Sequence, residues 1–374
     1  MRIRAAVVER LGGGQEVQEL ELAPPQAGEV LVRLHASGIC HSDQNAVDGT
    51  DPVPFPSVLG HEGAGVVEAI GPGVRRVAVG DHVALSWMPS CGECAECLRE
   101  LPHLCSTARV PMGLGMLLDG TSRLSRGGEP VHHYSFISSF ADACVLPEGC
   151  CVPIPPDVPF DVAGLVGCAI STGIGAVWRT AGVRPGDRVA IVGCGGVGLS
   201  ALLGAVAAGA GTIVAVDVSE RKLDFARELG ADETVLWAGS PEDTAEAVRS
   251  ASGGGVDYAI EATGRPEAML TAFLATRARG AAVLIGIPRP DAVLPLPALS
   301  IPRMERRVLG SIYGSTYPER DFALTLQLYR RGRLPLDRLI THRVPLEQVQ
   351  HGLDLLLAGE AIRAVVDLQP MGGR

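Results

Sequence analysis

The stretch "DRVAIVGCGGVGLSALLGAVAAGAGTIVAVD", residues 187–217, decides the fold. "RVAIV" is a short apolar run of the kind that forms a buried strand, and "GVGLSALLGAVAAGA" is a helix of small residues. "TIVAVD" is a second strand. Gly193-x-Gly195-x-x-Gly198 lies where the first strand meets the helix. Glycines there permit a tight turn, close backbone approach to a pyrophosphate, and close packing of helix on strand. The helix start, with Gly196 and Val197, offers free N–H groups to an anion. Asp217 closes the second strand, near the ~20-residue spacing expected for a carboxylate that binds ribose hydroxyls. A carboxylate there repels a 2′-phosphate, which favours NAD over NADP. Arg221 and Lys222 follow closely enough to reach the same ribose or to stay solvated.

Downstream the rhythm continues. "SERKLDFARELG" reads as a helix with Ser219 as a candidate N-cap, and "VDYAIEATG" and "AAVLIGIP" read as further strands. Strands alternating with helices predict a parallel, doubly wound sheet. Residues 1 to about 165 differ. Val-rich segments such as "EVLVRLHASG", "GAGVVEAIG" and "GDHVALS", punctuated by Gly and Pro, predict a barrel or sandwich. After about 310, "ERDFALTLQLYRRG" and "LEQVQHGLDLLLAG" are helical by period, and "AIRAVVDL" is a strand.

A length of 374 residues favours two domains. The formal net charge of −10 disfavours nucleic acid as a partner. There is no uninterrupted run of eighteen apolar residues, so no membrane span is expected, and "MRIRAAVVERLGGG" is too short in its apolar part for a signal sequence. A cytoplasmic protein is the expectation. The ten cysteines are then better tested as metal ligands than as a disulfide framework.

Two sets emerge. Cys91, Cys94, Cys97 and Cys105 have the short spacing of a closed tetrahedral zinc site, which holds a loop rather than doing chemistry. The second set is dispersed: Cys40 in "GICHSDQN", His61 and Glu62 in "GHEG", and Cys168 in "GLVGCAISTG". Cys168 stands where the β-rich part gives way to the dinucleotide part, so a metal there is expected beside the cofactor. Cys144, Cys150, Cys151 and Cys194 read as ordinary small buried residues.

With "GICHSD", "LGHEGAGVVEAIGPGV", "GDHV", "CGECAECLRELPHLC", "DGTSRL", "GCAISTGIGA", "VGCGGVGLS" and "AIRAVVDL", the chain resembles the zinc-dependent alcohol dehydrogenases of the medium-chain dehydrogenase/reductase superfamily over nearly its whole length. The resemblance implies an α/β protein: a GroES-like β-barrel catalytic domain (1–168 and 310–374, with a structural-zinc lobe at 91–105) and a doubly wound Rossmann domain (169–309). It implies two zinc ions and NAD. Cys40, His61 and Cys168 would ligate the catalytic zinc, with Glu62 as an alternate ligand and Asp43 holding His61. Ser42 would receive the substrate proton. His41 and Arg363 would contact the cofactor pyrophosphate, Thr172 would pack on the nicotinamide, and the backbone near Ile285 and Ile287 would bind its carboxamide. Trp87, Tyr134 and Ile287 would line the substrate channel. A homodimer or homotetramer is implied, with a small alcohol or aldehyde as substrate.

The chemistry needs this set. Zinc with two thiolates and a neutral imidazole carries no net charge and stabilises an alkoxide, a good hydride donor. Liver-type relatives place a histidine three residues after the serine. Here Asn45 stands there and cannot titrate, so proton release is expected to end in water or another group. A second substrate class is also implied. In the thiol-dependent formaldehyde dehydrogenases (glutathione or mycothiol), an arginine four residues after the last structural cysteine binds the thiol's carboxylate. Arg109 matches it and Asp51 matches a further position, whereas Val53 replaces an expected acid. A catalytically silent zinc and nucleotide-binding protein is the remaining alternative.

Overall fold

The computed structural model describes residues 1–368. The chain divides into two compact units: Met1–Cys168 with the segment from Tyr317 onward, and Ala169–Thr316. The return to the first unit thus falls at Tyr317 rather than at 310. The strand Arg307–Gly310 pairs with Thr276–Leu284, and the residues after it stay in the second unit: Ser311 N–H donates to Leu284 O at 2.9 Å.

In the first unit, period-two burial builds two β layers. The strands Arg2–Val8, Gln15–Leu22, Leu124–Arg126, Glu129–His133 and Ser57–Val58 close a small barrel. The long strand Glu29–Ile39 pairs antiparallel with Glu62–Ile70, Arg363–Asp367 and Ala143–Pro147 in a seven-stranded sheet. These pairings set the ends of "GIC" and "HEG" side by side, with Gly38 opposite Glu62 and Ile39 opposite Ala364. Residues distant in sequence therefore reach one corner of one sheet.

In the second unit, the strands stand in the order Glu233–Leu236, Thr212–Asp217, Arg188–Val192, Val256–Glu261, Thr276–Leu284, Arg307–Gly310, every neighbouring pair parallel. By chain order this is 3-2-1-4-5-6, the doubly wound order that binds dinucleotides where the winding reverses. Apolar residues, including Val192, Val214, Val216, Ala259, Phe273 and Ala282, form its core. Ser219 is at the N-cap position of Glu220–Glu228, but its side chain makes no cap bond.

One helix, Phe160–Ala181, is by length and composition able to cross a membrane, and 83% of its apolar window is buried inside the protein. It is a core helix, with Asp161 and Arg179 breaking the apolar run. Its hydrogen bonding alternates: α over Phe160–Leu165, π over Val166–Ile170, α over Ser171–Gly175, π over Ala176–Ala181. Gly164 and Gly167 let it approach the sheet backbone. An added Cβ would lie 2.6 Å from Glu62 O at Gly164 and 2.4 Å from Leu85 O at Gly167.

One buried group outside the donor clusters ties stability to pH. His133 is 2% exposed, and its Nε2 accepts the Arg123 backbone N–H at 3.1 Å. Burial, then the Arg123 charge, lowers its pKa to about 3 from 6.5. The folded value lies below the unfolded one. Its stabilising contribution is therefore present above about pH 6.5 and is lost as pH falls toward 3, at up to about 1.4 kcal/mol per pH unit. Denaturant unfolding at stepped pH is expected to show this acid limb, flattened in His133→Asn. An unaltered limb in the variant rules it out.

Candidate active site and metal centres

The short helix His41–Asp48 begins directly after the strand Glu29–Ile39. Cys40 is its N-cap, and Asp43 closes the cap, its Oδ2 accepting the Cys40 N–H at 2.9 Å. The other oxygen, Oδ1, accepts Gly60 N–H at 3.1 Å and faces His61 Nδ1 at 3.2 Å. One carboxylate, fully buried, thereby fixes both the Cys40 and the His61 backbone approach and leaves His61 Nε2 for a metal.

Cys40, His61, Glu62 and Cys168 each offer a donor atom, and the four atoms lie within 4.8 Å of one another. Burial alone would lower the His61 pKa, but the Asp43 charge and hydrogen bond, then Cys40, outweigh it and raise the value well above normal. The hydrogen bond with Cys168 holds the Cys40 thiol low, and the same contact pushes Cys168 up. Burial raises the Glu62 carboxyl to about 7 against the pull of Arg363. Two thiol sulfurs, an imidazole and a carboxylate on one centre are the donor chemistry of zinc.

The second cluster is Cys91, Cys94, Cys97 and Cys105. Its Sγ–Sγ separations of 3.9 Å for Cys91–Cys97 and Cys94–Cys105 match the ~3.8 Å edge of a tetrahedron with Zn–S bonds of about 2.3 Å. Backbone N–H groups of Glu93 and Cys94 point at Cys91 Sγ, at 3.4 and 3.3 Å. The N–H of Cys97 points at Cys94 Sγ and is the first cause of a Cys94 pKa lowered to about 6. The backbone thus favours thiolates at Cys91 and Cys94, whereas burial pushes the Cys97 thiol up to about 12 without a metal.

Near the first cluster, Ser42 Oγ is 3.7 Å from Cys40 Sγ. Tyr134 is buried, with its ring edge-on to His61 at 5.5 Å between centroids. Trp87 is half-buried, His41 is exposed on the first helical turn, and Asn45 O accepts the Asp51 N–H at 2.9 Å. Arg109 is exposed and has no ion-pair partner among the described residues. Arg363 makes a contact that the sequence did not announce. It is 2% exposed and its guanidinium is paired with buried Glu62, because the strand Arg363–Asp367 lies beside Glu29–Ile39, which in turn pairs with Glu62–Ile70. One edge of the guanidinium meets the metal cluster's carboxylate, and its buried Nε has no hydrogen-bond partner in the protein, so donor capacity remains beyond Glu62.

In the second unit, Gly193 has φ +97° and Gly195 caps the helix Gly196–Ala208 with no side chain on its N–H groups. A Cβ at Gly195 would meet nothing within 4 Å, and one at Gly198 would lie 1.8 Å from Gly193 O. The cradle is open where an anion would sit and tight beneath. Asp217 takes Cys194 N–H on Oδ2 at 2.7 Å and Ser219 N–H on Oδ1 at 3.0 Å, which aims the carboxylate and leaves lone pairs for ribose hydroxyls. Lys222 is half-buried on the following helix, and Thr172 is 8% exposed in Ser171–Gly175. The Ile285 N–H is committed to Glu261 O at 2.9 Å. Ile287 is 48% exposed.

Gly198→Ala is expected to weaken NADH binding by about 10–100-fold, since overpacking costs ~1–3 kcal/mol, while both zinc ions remain. Fluorescence titration with NADH and metal analysis check it; wild-type affinity in the variant would remove the cradle assignment.

Sequence reasoning missed three features. Glu261 is fully buried, and its Oε1 gathers Thr263 N–H, Thr263 Oγ1 and Gly264 N–H at 2.6–2.8 Å. Tyr313, Gly314 and Ser315 are consecutively left-handed, with φ 54°, 64° and 52°. Ser135, Phe136 and Ser138 are left-handed as well. Only Gly314 and the Glu-x-Thr-Gly turn carried any local signal.

Comparison with known proteins sharpens the picture. Residues 26–156 match the family model described as alcohol dehydrogenase GroES-like domain, and residues 196–330 match the zinc-binding dehydrogenase model. Alcohol dehydrogenase 1 of Pisum sativum is 36% identical over 372 residues, 99% of this chain and 98% of that protein. The S-(hydroxymethyl)glutathione dehydrogenase of Paracoccus denitrificans is 38% identical over 375 residues, 98% of this chain and 100% of that protein. The solved benzyl alcohol dehydrogenase of Acinetobacter calcoaceticus superposes with a TM-score of 0.93 at 33% identity, covering 99% of this chain and 100% of the other.

Proposed function

The chain belongs to the zinc-dependent alcohol dehydrogenases of the medium-chain dehydrogenase/reductase superfamily, and from that premise we propose that it moves a hydride between NAD(H) and a primary alcohol or aldehyde. The observation that carries the reading is the Cys40–His61–Cys168 donor set with the Ser42 hydroxyl beside it. When bound, zinc supplies Lewis acidity toward an oxygen and the nicotinamide supplies the hydride acceptor. The protein's own groups do the rest. Cys40, His61 and Cys168 hold the metal, Asp43 aims the imidazole, and Ser42 Oγ takes the proton leaving the substrate hydroxyl. Asp217 favours NAD through its two remaining acceptor positions. Buried Tyr134 and half-buried Trp87 suit a flat or slender substrate group.

A second reading, thiol-dependent formaldehyde oxidation, is favoured by one observation: Arg109 is an exposed guanidinium without an ion-pair partner among the described residues, suited to a thiol's carboxylate. NADH formation with primary aliphatic and benzylic alcohols, beside formaldehyde with and without glutathione or mycothiol, separates the two. Turnover of free alcohols supports the first. Turnover only of formaldehyde with thiol supports the second. Zinc-loaded protein silent toward all of these overturns both.

A further inference from the structure

Tyr134 does more than present a ring. Its Oη donates a hydrogen bond to the Ser42 carbonyl at 3.0 Å, and the phenol is 6% exposed. The segment that delivers it is unusual. Ser135, Phe136 and Ser138 have φ of 51°, 64° and 52°, conformations that non-glycine residues adopt at a cost and keep only where the surroundings enforce them. The enforcement is visible. Ser138 Oγ accepts Tyr134 N–H at 3.0 Å, and Ile137 and Ser138 N–H donate to Tyr134 O at 3.0 and 3.1 Å. Ser139 N–H then donates to Gly60 O at 2.9 Å and Phe140 N–H to Leu59 O at 3.1 Å. The Ser139 and Ser37 hydroxyls meet at 2.6 Å. The loop is strapped to the two residues preceding His61, and its first side chain reaches across to the helix that carries Ser42.

We propose that Tyr134 is a positioning residue for the Ser42 hydroxyl: its phenol fixes the first turn of His41–Asp48 so that Ser42 Oγ stays beside the metal-binding sulfur of Cys40. A buried phenol needs a hydrogen-bond partner wherever it lies; what points to positioning is that the partner is the backbone of Ser42 itself and that the loop delivering the phenol is held in three left-handed conformations just after Tyr134. The inference rests on Ser42 acting as the proton acceptor, and it makes the loop 134–140 part of the proton path without touching the proton.

Tyr134→Phe removes the hydroxyl and keeps the ring. With benzyl alcohol and NAD⁺ as the probe pair, kcat is expected to fall about 5–10-fold, the loss of one hydrogen bond, with KM for the alcohol unchanged. In a Ser42→Ala background the same substitution is expected to change kcat by less than about twofold, since residues acting through one another are not additive. Equal losses in both backgrounds, no loss in either, or a change confined to KM would each overturn the proposal. A Ser42→Ala variant with undiminished kcat instead overturns the role of Ser42 itself, and this proposal with it. A readout independent of turnover accompanies these. Amide hydrogen exchange across 41–48 is expected to quicken severalfold in Tyr134→Phe, whatever substrate the enzyme prefers, and unchanged exchange there also overturns the clamp.

Discussion

Exchanging Cys168 for serine is expected to leave one firmly bound zinc per chain and to lower kcat by at least about 10³-fold. A hydroxyl is a poor replacement for a soft thiolate at this metal. The Lewis acidity that depends on the ion is worth several kcal/mol, and each ~1.4 kcal/mol is tenfold in rate. Glu62 shares the cluster, yet the Arg363 guanidinium paired with it competes with a metal for its carboxylate, so it is a weak substitute when the thiolate is lost. Overall stability should change little, because Cys168 is only half-buried and the helix around it is anchored at Gly164 and Gly167. Metal analysis after exhaustive dialysis, with steady-state rates on the same sample, checks both parts. Two retained zinc ions with near-normal turnover would remove Cys168 from the donor set.

Cys97→Ser is expected to act oppositely, on stability before rate. The segment from Cys91 to Gly113 has little core: Leu98 is 73% exposed and Val110 68%. Its buried residues are few, chiefly Pro102, His103, Cys105 and Ala108. Structural zinc contributes about 10–16 kcal/mol in small metal-folded domains, so a lost ligand should cost several kcal/mol of local stability. Limited proteolysis is expected to cut the variant between 91 and 113 while leaving the wild type intact, with one zinc lost. Resistance equal to the wild type would mean that the lobe holds itself.

The Cys97 prediction starts from a pattern legible in the chain alone. Four cysteines at close spacing and a glycine fingerprint between strand and helix are local signals, and four of the six parallel strands were legible from their alternation with helices, Glu233–Leu236 and Arg307–Gly310 being the two that were not. The dispersed cluster was legible only as a set of candidate residues, and the family resemblance supplied their roles, because nothing local joins Cys40 to His61 or Cys168. What remained hidden is what depends on long-range pairing. Arg363 meets Glu62 across 301 residues, so its sequence neighbours could not reveal this ion pair. Ser135, Phe136 and Ser138 are left-handed although their residue types disfavour it, so propensity pointed the wrong way. The boundary at Tyr317 was hidden for a similar reason: the strand Arg307–Gly310 and the turn after it belong to the sheet they join.

The wide turn at Val166–Ile170 carries one more consequence. Each residue of an α-helix advances the side-chain direction by about 100°, and a π turn absorbs one residue more than an α turn does. It therefore works as a phase offset in an otherwise regular screw. Upstream, Gly164 faces the Glu62 backbone; downstream, Gly173 faces Val197 and Ala201, where an added Cβ would lie 2.3 Å from Val197 O and 2.6 Å from Ala201 N. Deleting one residue from the turn would restore the α screw only from Phe160 to Gly175, ahead of the second π stretch at Ala176–Ala181, yet put one of these two contact faces out of phase with its sheet or helix. The metal-binding sulfur sits at the splice between two phases, which explains why a helix so apolar tolerates an irregular stretch in its middle.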